Sequence, residues 1–246
     1  MTVRIIRLLT ISEIVIVKNS MQIPLEKRFP RAVIFDMDGV LVDSEPYHIE
    51  IENRMFSKMK LDISDEEHAT YMGTATDVMW RQIIEKRNLS LDAEEMTRLT
   101  NREGVPFFSG LDKLDPMPGL IRLLDFLKSK SVPMAVASSS DPETVKIIIE
   151  KSGLRKYFKH TISSGTVGKS KPSPDVFLHV AKLLDVEPED CLVIEDSKNG
   201  IRAAKSAGMY CVAYSGAATR SQDQSEADLV IDDFEKLKAI LFESMT

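Results

Sequence analysis

Two aspartates two residues apart close a short apolar run, Ala32-Val33-Ile34-Phe35-Asp36-Met37-Asp38-Gly39. Paired carboxylates suit phosphoryl transfer. One can attack phosphorus to form an acyl phosphate, which water then cleaves. The other can protonate the leaving oxygen and later take a proton from that water. Gly39 allows a sharp turn beside the substrate. The same pattern occurs in calcium loops and ordinary turns. Its place at the end of an apolar run points to a site.

Three further stretches carry groups that such chemistry needs. Val136-Ala137-Ser138-Ser139-Ser140 ends an apolar run in hydroxyls. Ser138 can donate to a phosphate oxygen, and the backbone N–H groups that follow can do the same. Capping of the next helix by Ser140 or Asp141 explains these residues equally well. In Lys169-Ser170-Lys171-Pro172-Ser173-Pro174, an ammonium could neutralise phosphate and nucleophile together. Lys171 is preferred to Lys169 because Pro172 restrains the backbone beside it. Glu195-Asp196 closes the run Cys191-Leu192-Val193-Ile194, and adjacent acids repel unless a cation relieves them. With Asp36 and Asp38 they form an all-oxygen donor set suited to Mg²⁺. An N-cap role for this stretch is compatible with metal binding.

These stretches sit at the ends of predicted strands: 32–36, 133–138, 191–195, 209–214 and 228–231, with 160–164 a weaker candidate. Such uniform apolar runs are typical of buried parallel strands. Helical patterns at 119–130, 141–153, 173–185 and 196–208 lie between them. The third opens on Ser-Pro, with proline expected at the first helical position. The alternation predicts an α/β fold, an open and mostly parallel sheet flanked by helices. Residues 47–116 break it with amphipathic stretches and no strong strand. They predict an inserted all-helical cap over the carboxyl ends of the strands, where ligands bind in such sheets. The α/β core is then 31–46 and 117–246. Residues 1–30 read as an extension: an amphipathic helix, a β-prone arm, or a non-native segment preceding Met21, with the last preferred.

Of 246 residues, 43% are hydrophobic, enough for a sizeable core, and the net charge is −6. That balance, with no dense basic run, argues against a nucleic-acid partner. The two cysteines, Cys191 and Cys211, lie in apolar runs and read as buried thiols. This usage fits a reducing cytoplasm. No apolar run is long enough to span a membrane, and nothing points to a protein partner.

Taken together, these residues resemble the haloacid dehalogenase-like superfamily over about 31–241, in its helical-cap subgroup of phosphatases and β-phosphoglucomutases. The resemblance implies a Rossmann-like core, with Asp36 as nucleophile and Asp38 as general acid/base. It implies that Ser138 and the Ser139 backbone hold the phosphate while Lys171 screens its charge. Mg²⁺ would be held by Asp36, the Asp38 carbonyl and Asp196, with Glu195 assisting through water. Members that cleave carbon–halogen bonds lack the second aspartate, so Asp38 argues against a dehalogenase. Tyr47-His48 looks like the mutases, in which a histidine here helps close the cap, although phosphatases of the subgroup also carry it and it reads equally as an ordinary helix residue. The loop Gly73-Thr74-Ala75-Thr76-Asp77 has threonine where the mutases carry an arginine. No lysine of the mutase kind stands near 97–103, where Arg98 and Arg102 lie. The expected activity is therefore removal of phosphate from a small phosphorylated metabolite, a sugar or polyol phosphate, through an aspartyl-phosphate. A sugar phosphomutase and a catalytically silent binding module are the alternatives. The cap's inner surface is expected to present His48, Thr76, Trp80 and Arg102, although Trp80 also reads as cap core.

Overall fold

The computed structural model describes residues 29–71, 76–216 and 222–245. The expected extension, but for its last two residues, lies outside them, as do Gly73, Thr74 and Ala75 of the cap loop. Six parallel strands form one sheet: β1 (Ala32–Phe35), β2 (Met134–Ser138), β3 (His160–Ser163), β4 (Cys191–Glu195), β5 (Tyr210–Tyr214) and β6 (Leu229–Ile231). Their spatial order is β3-β2-β1-β4-β5-β6. The chain winds outward from β1 through β2 to β3, then returns to the other side of β1 for β4. The carboxyl end of β1, between β2 and β4, is therefore the switch point at which ligands bind in open sheets.

Both faces are covered, which explains the uniformly apolar strands. Val33, Phe35, Met134, Val136, Leu192 and Ile194 point into the larger core. There they meet α5 (Leu120–Ser129), α6 (Pro142–Lys151) and α9 (Phe234–Glu243). On α5, Leu120, Leu123, Leu124 and Leu127 recur at helical spacing and are fully buried. Each such leucine contributes roughly 1.5–3 kcal/mol by leaving water. The opposite face carries smaller residues, Ala32, Ala135, Ala137, Cys191, Cys211 and Ala213. They let α7 (Asp175–Leu184) and α8 (Lys198–Ser206) pack close to the sheet. Both cysteines are free and buried. Among the described residues, no helix is long and apolar enough to cross a membrane.

The all-helical cap lies between β1 and α5: α1 (Glu45–Lys58), α2 (Asp65–Ala69), α3 (Thr76–Arg87) and α4 (Ala93–Ser109). It has its own core of Met55, Phe56, Tyr71, Met79, Trp80, Ile83 and Met96. Ile51, midway along α1, and Phe108, at the end of α4, belong instead to the sheet's core. The cap is thus rooted through two helices.

Three expectations change. Trp80 does not line the cap's inner surface. It is fully buried, and its indole N–H donates to the Thr100 hydroxyl at 2.9 Å. The 173–185 helix begins at Asp175, with Pro174 as its N-cap rather than its first residue. The closing helix α9, absent from the sequence reading, buries Phe234, Leu237 and Leu241.

Candidate active site

The Asp36 N–H donates to the Ile194 carbonyl at 2.9 Å, a last ladder bond between β1 and β4. The chain then leaves the sheet. Gly39 takes φ 74°, its N–H donates to the Val42 carbonyl, and Leu41 N–H donates to the Met37 carbonyl. Met37 is buried in the core while Asp38 faces out, 27% exposed at its side chain. This turn puts two carboxylates, two residues apart, at one rim.

Lys171 reaches them from the loop before α7. Its ammonium pairs with Asp36, donates to Glu195 Oε1 at 2.8 Å and donates to the Ala137 carbonyl at 2.9 Å. All three N–H bonds are thus engaged, and the Phe177 ring lies 4.9 Å below. The side chain is 4% exposed. Lys169 is exposed. Its backbone N–H is tied to Asp175 at 2.9 Å. The Lys171–Pro172 peptide bond is cis.

Glu195 ends β4, fully enclosed. Its Oε2 accepts from the N–H groups of Asp196 and Ser197 at 2.7 and 2.8 Å and from the Ser197 hydroxyl at 3.1 Å. Asp196 follows, with little exposure. Its carbonyl accepts from the Gln224 amide at 2.7 Å, and the same amide donates to the Tyr214 carbonyl at 3.0 Å. Gln224 therefore ties the ends of β4 and β5 together, a role the sequence reading missed.

At the end of β2, Ser138 is fully buried and its Oγ accepts from the Ser140 N–H at 3.0 Å. Ser139 is exposed. Asp141, not Ser140, caps α6. Ser140 instead donates its hydroxyl to Asp38 Oδ2 at 2.7 Å, with the Ser138 hydroxyl at 3.5 Å from the same oxygen. His48 Nε2 lies 3.3 Å from Asp38 Oδ1, and its ring packs edge-on against Phe108. Thr76 opens α3, half-buried, and Arg98 and Arg102 are exposed on α4.

The electrostatics divide the two aspartates. Burial pushes Asp36 up to about 8. Lys171 pulls it down, but Glu195 and Asp38 add to the rise. Asp196 is raised well above the usual carboxylate range by burial, then by Glu195 and Asp36. Burial also opposes ionisation of Asp38. There, however, the hydrogen bond and charge of His48, with hydrogen bonds from Ser44 and Ser140, win and hold it at about 2. His48 is raised in turn: burial opposes its charge, but Asp38 outweighs it. Burial also opposes the Lys171 charge, and Asp36 and Glu195 hold it up.

Carboxylate oxygens of Asp36, Glu195 and Asp196 lie within 4.8 Å of one another. Three buried acids share one ammonium, so two negative charges stay uncompensated when all are ionised. An oxygen-rich set with that deficit fits a hard divalent cation.

The description haloacid dehalogenase-like hydrolase matches residues 30–208, and the chain belongs to that family. It is 32% identical over 206 residues to β-phosphoglucomutase of Bacillus subtilis, covering 82% of this chain and 88% of that one. It is 34% identical over 178 residues to the phosphorylated carbohydrates phosphatase of Thermotoga maritima, covering 72% and 82%. The crystal structure of CbbY from Rhodobacter sphaeroides in complex with phosphate superimposes with a TM-score of 0.73 at 27% identity. That match covers 87% of this chain and 99% of CbbY.

Proposed function

We propose that the protein is a Mg²⁺-dependent phosphatase acting on a small sugar or polyol phosphate through an aspartyl-phosphate at Asp36. One observation carries this reading: a single buried ammonium grips Asp36 and Glu195 together, with Asp38 on the same rim. The Thermotoga relative, named for phosphorylated carbohydrates, supports the substrate class.

In this reading Asp36, Asp196 and the Asp38 carbonyl hold Mg²⁺, and Glu195 acts through Lys171 and water. When bound, the ion supplies positive charge to the phosphate and to the crowded acids. Lys171 adds its own charge beside the nucleophile. The Ser138 hydroxyl and Ser139 N–H hold phosphate oxygens. An Asp36 oxygen forms a bond to phosphorus as the ester P–O bond breaks, and Asp38 gives its proton to the departing oxygen. Asp38 then takes a proton from water, whose oxygen bonds to phosphorus and releases inorganic phosphate from Asp36. Without substrate, His48 and Ser140 keep Asp38 ionised. An arriving phosphate dianion raises its proton affinity, as a nearby like charge does. Residues 47–116 act as the lid that excludes bulk water during both steps.

Aryl phosphate hydrolysis is expected with Mg²⁺, lost on chelation and restored on readdition. Turnover that survives exhaustive chelation contradicts the metal assignment. The Bacillus relative favours a second reading, a sugar phosphomutase. An isomeric sugar phosphate formed without net phosphate release would establish it over the first.

The raised acids also predict a pH effect on stability. Asp36 titrates near 3.8 when unfolded and at about 8 when folded. Between these values the folded state binds more protons, so this contribution to stability falls as pH rises. Mg²⁺ binding displaces those protons. Thermal melts should therefore show a larger Mg²⁺-induced rise in Tm at about pH 8 than at about pH 5. Equal rises at both would count against the buried-acid site.

A further inference from the structure

Glu195 has one place to be. Its Oε2 takes three donors from Asp196 and Ser197, and its Oε1 takes Lys171. The carboxylate lies against Gly200 in the first turn of α8. A methyl group at Gly200 would overlap both carboxylate oxygens and the carbon between them. Gly200 is helical and is not among the glycines with positive φ. Its backbone therefore suits any residue, and glycine inside a helix is the poorer choice on propensity. Space, rather than conformation, accounts for it. Gly200 N–H also donates to the Ser197 hydroxyl at 3.1 Å, and that hydroxyl donates to Glu195.

We propose that Gly200 is a positioning residue for phosphoryl transfer: its missing side chain leaves the space from which Glu195 aims the Lys171 ammonium at Asp36. The catalytic meaning rests on the phosphatase reading, whereas the placement rests on geometry alone.

A double-mutant cycle with crystal structures tests it, using Gly200→Ala, Glu195→Ala and both together. Turnover of p-nitrophenyl phosphate with Mg²⁺ is resolved into kcat and KM. Gly200→Ala should lower kcat by about 10²-fold, with KM little changed. In its crystal structure Glu195 should leave its donors and the Lys171 ammonium should part from Asp36. Adding Gly200→Ala to Glu195→Ala should cost nothing further, because the contested space is already empty. Independent multiplicative losses, or Glu195 and Lys171 unmoved in Gly200→Ala, would overturn the proposal. If Gly200→Ala does not fold, the double variant should, and an equally unfolded double variant refutes the claim. If the wild type turns over no phosphate ester, the phosphatase reading fails and the crystal structures still decide the placement.

Discussion

Asp36→Asn is expected to abolish turnover while leaving the fold intact. The amide keeps the size of the carboxylate at the tip of β1 but cannot form an acyl phosphate. The loss should reach about 10⁴-fold or more, as when a covalent nucleophile is removed from machinery that works as a unit. Stability should move differently. The wild-type carboxylate is costly to ionise in place, since burial raises it to about 8. The neutral amide avoids that cost, so in EDTA near pH 8 the variant should melt no lower than wild type. It should also gain less from Mg²⁺. Rapid-quench assays and thermal melts on the same preparations separate these effects. Substantial turnover in Asp36→Asn would remove Asp36 from the chemistry. An unfolded variant would show that the Asp36–Lys171 pair is chiefly structural.

Asp38→Asn is expected to slow turnover by about 10²–10⁴-fold, with a size that depends on the leaving group. An alkyl phosphate needs a proton on its departing oxygen, so the variant should stall at the first step. A nitrophenolate leaves without one, so the first step should survive and the second, which needs a base for water, should fail. The variant should then release one equivalent of nitrophenol in a burst and accumulate phosphoenzyme. Equal losses on both substrates with no burst would assign Asp38 to positioning. The neighbours of Asp38 explain why it can serve both steps. The hydroxyl of Ser140 and the ring of His48 hold it as a base without substrate. It remains partly exposed and able to meet a ligand.

Much of this rim was legible in the sequence because open parallel sheets gather strand ends. Asp36, Ser138 and Glu195 each follow or close an apolar run, and the strand order puts those runs side by side. The choice of Lys171 over Lys169 rested on a local argument from proline, and only Lys171 enters the cluster. Ser140 and Asp141 are equal candidates for the α6 cap on sequence, and only Asp141 fills it. Ser140 lies two residues beyond the end of β2, where strand alternation no longer applies, and only the fold brings its hydroxyl to Asp38. The repeat of Phe234, Leu237 and Leu241 held enough for α9. Trp80 was not decidable, because helical spacing shows that residues share a face, not which neighbour it meets. Gln224 had no local signal at all. It lies in a loop and acts only where tertiary folding brings the carbonyls of Asp196 and Tyr214 together.

The covalent step is the centre of the account, and peptide mass spectrometry after acid quench addresses it most directly. Asp38→Asn mixed with Mg²⁺ and an aryl phosphate should yield one phosphorylated peptide, with the acid-stable, hydroxylamine-labile group on Asp36. Phosphate on any other residue, or a completed burst with no covalent phosphate, would contradict it.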